Sequence, residues 1–385
     1  MDVDIEKELQ RQLIVPREQR LLSLLFKEHV SKEDVEHQLQ GLHIDTENHY
    51  YLLMLARLGF ERNWVGFPEH VIPQLKGIYR YYQAQNALLL QMLMKTIKQL
   101  NEEQITPLLI KGVAMRLHYA PGVARIMDDA DIVIEGKQYD KAMSIVQGMG
   151  AAYVGYAKHS STYKLGHAEF DLHHVIYKNH NEKGSDIWRQ VERIEVNGCH
   201  FNLLSPIDMF IHVLDTQSRD IFLNEHMNRR MKWLFDAKMV LNRMPDKDWA
   251  AIAKRAHELH CNYRVCLMMK LFAACFPEDI SLADVEALFT VDQGYARWLQ
   301  DAVNYRETIV QYVKERNVYV YKFITPRVFK LRVKYNPLWK EYNYQAHELK
   351  RLSPGMSYIR YVVEHYQLHQ PRQFFKRIVL RLRFR

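Results

Sequence analysis

The stretch that most constrains the fold is residues 108–134, LLIKGVAMRLHYAPGVARIMDDADIVI. Leu108-Leu109-Ile110 is a short continuous apolar run closed by Gly112, the pattern of a buried strand. VAMRLHYA then predicts one or two helical turns, which Pro121-Gly122 interrupts. Asp128, Asp129 and Asp131 crowd against a second apolar run, Ile132-Val133-Ile134. Like charges beside a buried strand are costly unless something cationic is meant to sit among them.

Side chains alternate across a strand, so Asp129 and Asp131 should share one face while Asp128 points away. Two residues along a strand span about 6.6 Å. Paired metal ions in phosphoryl-transfer sites lie about 3.5–4 Å apart, within reach of carboxylates at such a spacing. Mg2+ suits this use, because it takes oxygen ligands and shares them with phosphates, and Mn2+ is the alternative. HAEFDLHHVI, residues 167–176, offers a third carboxylate. There Ala168, Phe170 and Leu172 alternate with Glu169, Asp171 and His173, which places Asp171 and His173 on one face of a further strand.

Around these strands the pattern is helical. YYLLMLARLGF and GIYRYYQAQNALLLQMLMKTIKQLNEE carry apolar residues at spacings of three and four. YDKAMSIVQGMG predicts a helix, and residues 151–157, 161–165, 167–175, 193–196 and 199–203 read as short strands. Ser205-Pro206 opens a long helical stretch, with Ser205 as cap and Pro206 at the first position. The expected class is α+β: a small mixed sheet at residues 105–204, flanked by helical regions at 1–104 and 205–320 and followed by a tail at 321–385.

Hydrophobic residues are 48% of the 385 and charged residues 25%, which predicts a folded globular chain. The N-terminal MDVDIEKELQRQ lacks the basic start and apolar core of a secretory signal, and no run of eighteen apolar residues occurs. Cys199, Cys261, Cys266 and Cys275 fit neither a zinc pattern nor a redox CxxC, so structural thiols in a reducing cytoplasm are expected. The net charge of +8 is uneven. Residues 321–385 hold 15 Lys or Arg against 3 Glu, so the other 320 residues carry −4. The end, RQFFKRIVLRLRFR, sets Phe374, Phe375, Ile378, Val379 and Leu382 among arginines and lysines. Such a helix could lie on an anionic membrane surface, leaving the protein peripheral to its inner face. The dense apolar residues among the basic ones favour that surface slightly over a grip on RNA, and the bland alternative is a helix folded back onto an acidic body.

The order strand, glycine, helix, Asp-x-Asp strand and later Asp strand resembles the nucleotidyltransferase superfamily. More closely, the chain resembles the uncharacterised nucleotidyltransferase family of bacteria. The residues that carry this are KG at 111–112, the R..DDAD run at 125–131, FDLHH, LSPIDMFIHVLDT and MKWLFDAKMVL. The resemblance implies transfer of a nucleotidyl group from an NTP such as ATP to an acceptor hydroxyl. It implies that Asp129, Asp131 and Asp171 bind metal. Asp171 either holds the catalytic ion or takes the acceptor proton. Gly112 lets the backbone approach the triphosphate at a helix N-terminus. The superfamily's Ser after that Gly is Val113 here, with Lys111 as a replacement charge. Arg125 either holds the triphosphate or pairs with Asp128, and His173 shares the site face. His212, Trp233 and Asp236 belong to the matched helices, Trp233 as core and Asp236 as partner of either the site or a neighbouring helix. HELHC at 257–261 spaces its histidines three apart, which a zinc-protease helix does not.

Two other classes stay open on the residues alone. One is a glycosyltransferase using Asp-x-Asp with a sugar nucleotide, although about 100 helical residues precede the sheet. The other is a non-catalytic module that binds an anionic surface through its tail.

Overall fold

The computed structural model describes residues 16–119, 123–157, 160–177, 187–223, 230–244, 246–259 and 261–289. His159, the stretch 290–320 and the basic aromatic tail at 321–385 lie outside the described residues. Helices come first: α1 Pro16–Phe26, α2 Lys32–Leu39, α3 His49–Glu61 and α4 Ile72–Glu102. Asn48 caps α3, accepting from the Tyr51 amide at 3.0 Å. Tyr51 through Gly59 are all buried, so α3 is a core helix rather than an amphipathic one. α4 is different. Leu75, Tyr79, Asn86, Leu89, Leu93, Ile97 and Leu100 form one buried stripe. That stripe lies across the sheet, reaching β5 Ala168–His173 and β7 Cys199–Leu203.

The sheet has seven strands in the order β3-β4-β5-β2-β1-β7-β6. Its remaining members are β1 Leu108–Ile110, β2 Ala130–Val133, β3 Ala152–Ala157, β4 Ser160–Leu165 and β6 Glu192–Val196. β2 runs antiparallel to β1 and parallel to β5, and β1 runs parallel to β7, so the sheet is mixed. Between β1 and β2 lies α5 Lys111–His118, and after β2 lies α6 Tyr139–Gly148. β1 and β2 are buried on both faces, which explains the apolar runs Leu108-Leu109-Ile110 and Ile132-Val133 and leaves Asp131 as the charged exception.

The later helices are α7 Pro206–Leu223, α8 Arg230–Leu241, α9 Trp249–Glu258, α10 Asn262–Cys275 and α11 Leu282–Leu288. The Asp208 amide donates to Ser205 Oγ at 3.3 Å, the cap expected from Ser205-Pro206. α8 packs against α7 and also against α1, α3 and α5, so it ties the early helices to the strand-bearing segment. Buried ion pairs, Arg264–Asp215 and Arg255–Asp208 among them, join α7 to α9 and α10. All four cysteines are buried thiols. No described helix is long and apolar enough to cross a membrane.

Candidate active site

One row of residues crosses four neighbouring strands. Ile110 pairs with Asp131, Asp131 with Asp171, and Asp171 with Thr162. Partners across a ladder point to the same face, so the two carboxylates stand side by side, as the alternation of FDLHH requires. Thr162 Oγ1 donates to Asp171 Oδ1 at 2.5 Å. Sequence reasoning missed Thr162, yet the signal was present. The Gly166-His167 turn fixes the β4–β5 register, and counting inward from it pairs position 162 with 171.

His173 lies two residues beyond Asp171, on the same face and only 2% exposed. Its Nε2 is 2.8 Å from Asp131 Oδ1. Lys111 Nζ approaches the same oxygen at 2.5 Å. Burial opposes ionisation of Asp131, but Lys111 and His173 outweigh it and hold the carboxyl below its usual range. An ionised carboxylate only accepts, so Nε2 of His173 is the donor. Burial likewise opposes the charge on Lys111, and the carboxylates of Asp131, Asp129 and Asp171 overcome it and raise the ammonium's pKa. The ammonium therefore sits in the field of three acids, where a cation is needed.

Donor atoms of Asp131, Asp171 and His173 all lie within 4.8 Å of one another. Asp129 stands just before β2 beside this group. Burial, and then the carboxylate of Asp131, push its pKa up to about 7. The expected set was Asp129, Asp131 and Asp171. In the structure His173 completes the tight cluster and Asp129 flanks it.

Lys111 also carries the backbone feature of the site. Its φ is +51, the left-handed region that a side chain rarely enters, at the bend from β1 into α5. Gly112 is not in that region, so its role differs from backbone freedom. A Cβ there would lie 2.9 Å from Nη1 of Arg125 and 3.4 Å from Cγ of Met127. Gly112 is small because Arg125 lies on it.

Arg125 itself departs from both expectations. It meets neither Asp128 nor an open cleft. It is 3% exposed and forks onto Asp236 of α8, Nε to Oδ1 at 3.1 Å and Nη2 to Oδ2 at 2.6 Å. Tyr119 Oη donates to the same Oδ1 at 2.5 Å. Asp236 thus fastens α8 to the segment between α5 and β2. Trp233 is buried core, as expected, and His212 is buried edge-on against Tyr177 with ring centroids 5.6 Å apart. His174, on the opposite face from His173, packs against Tyr139. His167 is exposed in the β4–β5 turn.

The model of the uncharacterised nucleotidyltransferase family matches residues 17–277, well over half of the chain. The chain belongs to that family. As a member of the uncharacterised nucleotidyltransferase family it is an enzyme of nucleotidyl transfer. No curated protein matches it. Among solved structures it is similar to ANT(2")-Ia in complex with adenylyl-2"-tobramycin, at 13% identity and TM-score 0.31, covering 49% of this chain and 98% of that one. A nucleotidyltransferase-like protein from Paracoccidioides brasiliensis matches at 14% identity and TM-score 0.37, over 53% of this chain and 97% of its own. A tRNA nucleotidyltransferase complexed with a primer tRNA and an incoming ATP analog matches at 12% identity and TM-score 0.23, over 71% and 89%. Likenesses this loose bear on neither substrate nor mechanism. Within the uncharacterised nucleotidyltransferase family, the motif residues of this chain gather where β1, β2 and β5 run side by side.

Proposed function

We propose that the protein moves the nucleotidyl group of an NTP to an acceptor hydroxyl and releases pyrophosphate, with Asp129 and Asp131 holding Mg2+ and Asp171 beside them taking the acceptor proton. The observation that carries this is the convergence of Asp131 and Asp171 from paired strands, with Asp129 beside them. The donor set fits the ion. Asp129 and Asp131 supply the hard oxygens that Mg2+ prefers. His173 fits better as the group that orients Asp131 through its Nε2 hydrogen bond than as a ligand. Were its nitrogen a ligand, Mn2+ would suit the site better.

A divalent ion bound there supplies charge neutralisation on the phosphates and acidifies the attacking hydroxyl. The chain's own groups do the rest. Asp171, steadied by Thr162, accepts the acceptor proton. Lys111 turns from Asp131 to a phosphate oxygen, and the amide groups at the start of α5 face the triphosphate. Arg125 is fully engaged by Asp236 and has no phosphate role in this reading.

Calorimetry tests the reading. NTP should bind with Mg2+ and far more weakly with EDTA, and the Asp129→Asn/Asp131→Asn double variant should lose this binding while still melting cooperatively. Asp171→Asn should keep NTP affinity and lose roughly 10²–10⁴-fold in turnover. A double variant that binds Mg2+ and NTP as the wild type does would exclude the metal assignment.

A further inference from the structure

Beside the carboxylates stands a group of side chains that the reaction above does not use. Two helices are fastened to the segment between α5 and β2. On α4, Tyr79 Oη accepts from the Ala124 amide at 3.3 Å. On α8, Asp236 holds Arg125. Residues three or four apart share a helix face. Tyr82 therefore continues the Tyr79 face of α4, and Lys232 continues the Asp236 face of α8. Both flank the residues that follow Arg125, which are the approach to Asp128 and Asp129.

Tyr50, at the start of α3, joins them. Lys232 Nζ lies 5.7 Å from the centroid of its ring. Tyr82 Oη is 2.6 Å from Nδ1 of His49, which holds the Tyr82 ring edge-on to the imidazole at 5.9 Å. Burial, then the hydroxyls of Tyr81 and Tyr50 and the carboxylate of Asp128, push the Tyr82 hydroxyl up to about 12. Lys232 in turn acts on Asp129 in the sense of favouring its charge. Tyr50, Tyr82 and Lys232 are half-buried, and Tyr81 is 56% exposed. So aromatic faces and an ammonium rim the site on its Asp128–Asp129 side.

Partly exposed rings beside a cation suit a ligand that is both flat and anionic. The carboxylates alone would repel such a ligand, and Lys232 offsets that repulsion on this side. We propose that Tyr50, Tyr82 and Lys232 form the nucleoside side of the site, the base stacking on the tyrosine rings and Lys232 meeting a phosphate oxygen. The proposal rests on the reading of this site as one that binds NTP. It gives the helices before the sheet a role in substrate recognition.

The experiment compares each of the four NTPs with inorganic tripolyphosphate, all with Mg2+, in binding calorimetry on the full chain. Tripolyphosphate has the charge and lacks the base. The Tyr50→Ala/Tyr82→Ala variant should weaken the preferred NTP by about 5- to 150-fold, the range of base stacking on an aromatic side chain, and leave tripolyphosphate unchanged. Tyr82→Phe keeps the ring and loses only its hydrogen bond to His49, so it should weaken the NTP less than the double alanine variant does. Lys232→Met should weaken both ligands. The proposal is overturned if the double alanine variant binds NTP normally, as it would if the wall served the acceptor. It is also overturned if NTP and tripolyphosphate weaken alike. A wild-type protein that binds neither ligand refutes the NTP reading itself, a result distinct from failure of the wall.

Discussion

Asp131 and Asp236 are both buried carboxylates with cationic partners, and they are built for opposite ends. Asp236 is closed. Its partner Arg125 is as buried as it is, both of its oxygens are bonded in a fork, and Tyr119 adds a third donor. Asp131 is open. Its cation is Lys111, whose side chain is 35% exposed, and two further carboxylates crowd the same ammonium. A closed pair has its charges balanced within the protein. The open one has more acid than base, and a mobile cation can leave for another anion. The imbalance marks a place for a ligand, and the balance marks a joint.

Stability gives the largest contrast. Removing one partner of a buried pair strands the other charge and typically costs about 3–5 kcal/mol. Asp236→Asn should therefore lower the melting temperature sharply, since Arg125 has nowhere to go. Asp131→Asn should cost far less, because Lys111 reaches solvent and keeps Asp129 and Asp171 as neighbours. Equal melting losses in the two variants would erase the distinction between joint and site.

Gly112 links the two regions, and its test is milder. A methyl group there meets the Arg125 guanidinium at 2.9 Å. The fork on Asp236 keeps that guanidinium from yielding, so Gly112→Ala acts as overpacking, at about 1–3 kcal/mol. NTP affinity should fall along with stability, because the same displacement moves the Lys111 bend. If Gly112→Ala lowers affinity with an unchanged melting curve, the glycine serves the ligand directly and not through Arg125.

These two carboxylates were not equally legible in the sequence. Asp131 and Asp171 could be placed because strand alternation and apolar neighbours are local signals. The strands around them and the Ser205-Pro206 cap were legible for the same reason. Arg125 was misplaced because its partner lies 111 positions away on a helix, and no local pattern encodes that pairing. Asp128, three residues off, offered itself and is exposed instead. Gly112 reads in the sequence as a point of close backbone approach, but that Arg125 lies over it and that the left-handed bend falls on Lys111 have no local signature. Expectations for the tail at 321–385 concern residues outside those described.

The smallest expected effect sharpens the open end of the comparison. In the metal-free protein Asp129 has its pKa raised to about 7, by burial first and by Asp131 next. A raised carboxyl favours the protonated native state, so its contribution to stability is present below the ordinary pKa and is lost as pH climbs through about 7. A divalent ion reverses the preference, because it needs the ionised group, and binding must then release a proton. Near neutral pH part of the Asp129 carboxyl population is protonated, so a fraction of a proton should leave per ion bound. Asp131 is already ionised and contributes none. Metal titrations in two buffers of different ionisation enthalpy measure this release directly. It should grow towards one proton as pH falls below about 7, fade as pH climbs above it, and be absent in Asp129→Asn. Release that persists in that variant would assign the titrating group elsewhere and leave Asp129 outside the metal's reach.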